Sequence, residues 1–124
     1  MTAPVWAQRR VAEVCRRYGV AEPEITWRRS KRHSLSSGLT YNTETRIVVT
    51  AGSDARDRLL VLLHELAHHV TKQLHDRDEA HSARFWVIAF DLYSEAKLLR
   101  YAARREVEYA GARKEAQRRF SRST

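Results

Sequence analysis

Cysteine is almost missing from this chain: its 124 residues contain one, Cys15. A lone thiol excludes an intrachain disulfide and any zinc site built from cysteines, and it fits a reducing, cytoplasmic setting. Glycine and proline are scarce too, at four and two, and neither an internal repeat nor a low-complexity segment is present. No apolar run approaches the roughly 20 residues that span a bilayer. The first ten residues, Met-Thr-Ala-Pro-Val-Trp-Ala-Gln-Arg-Arg, lack a basic start followed by an apolar stretch, so no secretory signal is expected. What is present is ordinary for a folded domain. Apolar residues make up 43% and charged residues 31%, which argues against disorder, and the length suits one compact unit. The net charge is +8 and unevenly spread. Residues 97–124 hold nine Lys/Arg against three Asp/Glu, whereas residues 1–96 hold fourteen against twelve. Such a basic segment is either a solvated helix face, which its few aromatics favour, or a weak contact surface for nucleic acid.

Hydrophobic periodicity divides the chain. Val11, Val14, Cys15 and Tyr18 form one stripe of a helix from about Pro4 to Tyr18, with Gly19 as its stop and Cys15 on the core face. Ile25 and Trp27, the run 34–41 with Gly38 as a bulge or close approach, and Thr45–Thr50 read as three strands of a small antiparallel sheet. Ser53 or Asp54 then caps a helix over about Ala55–Leu74. Leu59 to Leu63, Leu66, Ala67 and Val70 make that helix apolar nearly all round, which assigns it to the core. After the polar link Asp76–Glu79, a further helix carries Phe85, Trp86, Ala89, Leu92, Tyr93, Ala96 and Leu99 and continues or restarts through the arginine-rich end.

The core helix contains His64-Glu65-Leu66-Ala67-His68, an H-E-x-x-H pattern. Residues i and i+4 stack on one helix face about 6 Å apart, so two imidazoles can share one ion. Glu65 is about 100° further round, angled to take a proton from a water that the metal activates. Charged groups in so apolar a helix are costly unless paired or metal-bound, which favours a zinc site over a set of surface residues. A catalytic zinc takes a third protein ligand and leaves one position open. His75, if the helix continues, lies about 10 Å along the axis from His68 and does not reach the ion. Glu79, His81 and Glu95 remain, and spacing does not choose between His81 and Glu95. The metzincin pattern is excluded, since Thr71 and Leu74 stand where it needs Gly and His.

The pair of motifs His64-Glu65-Leu66-Ala67-His68-His69 and His81-Ser82-Ala83-Arg84-Phe85-Trp86 resembles the SprT-like and YgjP-like (WLM-type) small metallopeptidases. Residues from about Pro23 to Tyr93 carry the likeness, and small metallohydrolases of actinobacteria and their phages are similar too. In these families a His opening the next helix is the third zinc ligand, which implies His81. The resemblance implies an α+β, minimal zincin-like fold: an N-terminal helix, a three-stranded antiparallel sheet, the active-site helix and one or two C-terminal helices. Residues 1–96 would form the metallohydrolase domain and 97–124 a basic helical extension of it. The implied activity is zinc-dependent hydrolysis of a peptide or protein substrate, with Glu65 as general base and no membrane partner. The chain lacks cysteines for the zinc ribbon of many SprT-like proteins, so only its basic end could supply nucleic-acid affinity. Two rival readings are a nucleic-acid-associated protein with a structural zinc and an ImmA/IrrE-type regulatory peptidase that acts on one partner. Of the remaining candidates, His69 reads as a packing residue, and His33, in a cluster with Arg28, Arg29, Lys31 and Arg32, as a solvated one. Tyr93 and Tyr101 are candidates to stabilise an oxyanion. Strand Ile47–Val49 is a candidate edge for pairing with an extended peptide.

Overall fold

A computed structural model describes residues 2–29, 38–40, 46–52, 54–75, 81–106, 109, 111, 114 and 118, with the backbone alone at 38–40 and 51. The first helix, α1 (Val5–Tyr18), buries Ala7, Val11, Val14 and Cys15 along one stripe. It stops where Gly19 takes the left-handed conformation (φ 68°) and the Val20 N–H reaches back to the Cys15 carbonyl at 2.9 Å. Three strands follow: β1 (Glu24–Arg29), β2 (Gly38–Thr40) and β3 (Arg46–Ala51). Their order is β1-β3-β2. Burial explains why β3 is central. Ile47, Val48 and Val49 are all buried, as a strand covered on both faces requires. In β1 only Trp27 is buried, which suits an edge.

The sheet is mixed, and this corrects the expected antiparallel arrangement. β2 and β3 pair antiparallel, with Gly38 opposite Val49 and Thr40 opposite Ile47. β1 and β3 run parallel, with Ile25 beside Ile47 and Trp27 beside Val49. The chain leaves β1 and re-enters the sheet on the far side of β3, so β1 and β2, consecutive in sequence, are not neighbours in space.

Helix α2 (Ala55–His75) packs on β2 and β3, and α1 and α3 pack against it. Asp54 caps it by accepting from the backbone N–H of Arg56 and Asp57 at 2.8 and 3.2 Å. Helix α3 (Ala83–Glu95) begins at Ser82, whose hydroxyl accepts from the Phe85 N–H at 3.4 Å. It ends at Ala96, beyond which Lys97 adopts φ 60° and the Leu98 N–H closes on the Tyr93 carbonyl at 2.8 Å. That turn separates α3 from α4 (Leu99–Arg105). The arginine-rich end therefore restarts after a bend, and Leu98, Ala102 and Tyr109 join the same apolar core as α1, α2 and α3. Among the described residues no helix is long and apolar enough to cross a membrane.

Candidate metal centre

Helix α2 passes through the core, so the face that carries His64 and His68 is held rigidly against its neighbours. The two residues are one turn apart, with ring centroids separated by 5.0 Å. The third ring comes from the segment that leads into α3. Ser82 fixes the start of that helix, and His81 immediately precedes it. His81 lies 5.0 Å from both of the other rings, centroid to centroid. One nitrogen from each of His64, His68 and His81 falls within 4.8 Å of the other two. Phe85, fully buried, forms the floor. It stacks on His68 at 4.1 Å and meets His64 and His81 edge-on at 5.0 and 5.1 Å. Exposure rises across the cluster, from His68 (buried) through His64 (half-buried) to His81 (exposed), so solvent reaches it from one side.

The donor set fits zinc. Three imidazoles suit that ion and leave a coordination position for water. Two nitrogens bound at about 2.0–2.1 Å to a tetrahedral zinc lie roughly 3.3–3.4 Å apart. Here Nε2 of His64 and Nε2 of His81 are 3.0 Å apart, a few tenths short of that spacing. Among the described residues His64, His68 and His81 are the group able to hold a metal ion.

Behind His64 lies a polar contact set that the sequence reading did not include. Its Nδ1 is 3.3 Å from Oε1 of Glu106 and 3.2 Å from the Tyr93 hydroxyl. Tyr93 donates to the same carboxylate oxygen at 2.6 Å. Burial first, then the charges of Glu106 and Glu65, push the Tyr93 pKa well above its ordinary 10.0, so the hydroxyl keeps its proton. Leu98, Ala102, Glu106 and Tyr109 recur at helical spacing, and a carboxylate in that apolar stripe is the signal by which Glu106 could have been found.

The other sequence candidates separate clearly. Glu65 is buried on α2, 5% exposed, one residue after His64. His69 is also buried and donates from Nε2 to the Ala21 carbonyl at 2.7 Å, tying α2 to the segment before β1. Burial, outweighing that bond, lowers its pKa below 6.5 and keeps the ring neutral. His75 is exposed at the end of α2 and stands outside the metal group. Glu95 pairs with Arg17 of α1. Glu79, Lys31, Arg32 and His33 lie outside the described residues. Neither tyrosine is placed for an oxyanion, because Tyr93 is sealed behind His64 and Tyr101 gives its hydroxyl to Asp57. Strand β3, expected as an edge for peptide pairing, is the inner strand, flanked on both sides. No family model matches the chain, and no curated protein or solved structure matches it.

Proposed function

We propose that the protein is a zinc-dependent metallohydrolase acting on peptide or protein substrates, with His64, His68 and His81 as metal ligands and Glu65 as general base. The observation that carries this reading is the convergence of three imidazoles, two from an H-E-x-x-H helix and one from the next element, within 4.8 Å. The likeness of the two motifs to SprT-like and YgjP-like metallopeptidases supports it. When bound, zinc supplies Lewis acidity to a water and to a scissile carbonyl. The imidazoles hold the ion, and the exposed side of His81 admits substrate and water. Glu65 takes the proton from the attacking water and passes it to the departing amine.

Elemental analysis of tag-free protein tests the metal. About one zinc per chain is expected, lost in His81→Ala and retained in Glu95→Ala. Glu65→Gln is expected to keep the zinc and to lose hydrolysis by at least about a hundredfold. Retained hydrolysis in that variant rules out Glu65 as the base.

A further inference from the structure

Two contacts join the C-terminal segment to one face of α2. Asp57 and His64 are seven residues apart, hence on the same side of the helix. Asp57 is buried and accepts from Arg105 at 3.0 and 3.3 Å and from the Tyr101 hydroxyl. Two turns further on, the residue after Arg105 meets His64. The Asp57 clamp thus sets the position at which Glu106 arrives.

Proton counting then fixes the state of His64. The hydroxyl of Tyr93 has one hydrogen, and it goes to Glu106 at 2.6 Å. The groups facing Nδ1 of His64, the carboxylate Oε1 and the Tyr93 oxygen, are therefore both acceptors. Nδ1 must carry the ring hydrogen, which leaves the Nε2 lone pair directed towards His81. A backbone carbonyl could do as much, but a carboxylate adds charge. Its side chain is only 9% exposed, and its second oxygen, Oε2, has no hydrogen-bond partner among the described residues. A buried carboxylate with an idle oxygen is costly unless a positive charge lies near it, and a dication held by His64 would provide one.

We infer that Glu106, with Tyr93, is a positioning residue of the metal centre: it holds His64 in the tautomer that presents Nε2 to the ion and balances part of the ion's charge. This rests on the metal reading above, and the two are tested apart.

Zinc affinity, measured by competition with a chromogenic chelator, is compared in wild type, Glu106→Ala, Glu106→Gln and Tyr93→Phe. The His64 tautomer is read in the metal-free proteins from imidazole nitrogen chemical shifts. Glu106→Ala is expected to weaken zinc about 10–100-fold. Glu106→Gln, which keeps an acceptor oxygen but no charge, is expected to recover part of that loss, and it serves if the alanine variant fails to fold. In metal-free wild type His64 is expected as the Nδ1–H tautomer, giving way to a mixture in Glu106→Ala. Unchanged zinc affinity in both Glu106 variants overturns the inference, and so does an Nε2–H tautomer in metal-free wild type. A wild type that binds no zinc yet shows the Nδ1–H tautomer, lost in Glu106→Ala, overturns the metal reading and leaves the positioning of His64 standing.

Discussion

Cys15 illustrates how far burial alone decides the chemistry of a side chain. It sits on the inner stripe of α1, 1% exposed. Burial, with a smaller push from Glu22, raises its pKa from 9.0 to about 11. Only the thiolate is a nucleophile, so the native protein is expected to react slowly with a disulfide reagent at pH 8 and quickly once denatured. Equal rates in the two states would mean that α1 does not cover the thiol. The sign of the linked stability follows from the same shift. The folded form holds its proton to higher pH than the unfolded form, so this contribution is complete below pH 9.0 and fades as the pH rises towards about 11. Phe85 shows burial serving a site instead of silencing one. Its ring is the surface on which all three candidate ligands rest.

At the scale of elements, Lys97 is the informative residue. It takes φ 60°, the left-handed position that ends α3 and turns the chain into α4. A side chain with a Cβ is strained there, and glycine is not. Lys97→Gly is expected to raise stability by up to about 1 kcal/mol, read from the urea midpoint, the gain being trimmed by the greater freedom of glycine in the unfolded chain. A drop in midpoint would show that the lysine side chain contributes something its exposure does not suggest. The same turn shows what the sequence could and could not disclose. Elements with a strong period were legible: the stripe of α1, the apolar α2 and a further helix carrying Phe85, Trp86, Ala89, Leu92 and Tyr93 all lie where the pattern places them. The pairing of strands was not, because Ile25, Trp27 and Ile47–Val49 carry no mark of direction or neighbour, and the sheet is mixed. Within the candidate site, spacing on one helix disclosed His64 and His68, and only resemblance favoured His81 over Glu95. Glu106 was easily passed over, since a glutamate among arginines looks like a solvated charge; only its place in the stripe of Leu98, Ala102 and Tyr109 marks it, and its contact with His64 appears where the end of α4 meets α2.

For the whole molecule the basic end changes meaning. Leu98, Ala102 and Tyr109 belong to the common core, and Glu106 touches His64, so cutting the chain near Lys97 would remove a wall of the candidate centre together with any surface for nucleic acid. Loss of polyanion binding in such a truncation would say little about charge. The metal itself is the better global probe. Its three candidate ligands come from α2 and from the segment before α3, and Glu106 brings in the end of α4, so one ion would couple three parts of the chain that already meet through packing and the contacts of Asp57 and Glu106. An ion that binds the folded chain and not the unfolded one stabilises it by about 2.7 kcal/mol at a free concentration a hundred times its dissociation constant. For a domain of this size that corresponds to a rise in Tm on the order of 10 °C. Zinc is therefore expected to raise the melting temperature by that amount over protein kept in a chelator. The rise should shrink markedly in His81→Ala and persist in Glu95→Ala, since Glu95 is engaged with Arg17 and not with the histidines. Equal melting temperatures with zinc and with chelator in the wild type would show that the three rings meet for packing reasons, stacked on Phe85, and that the ion has no place among them.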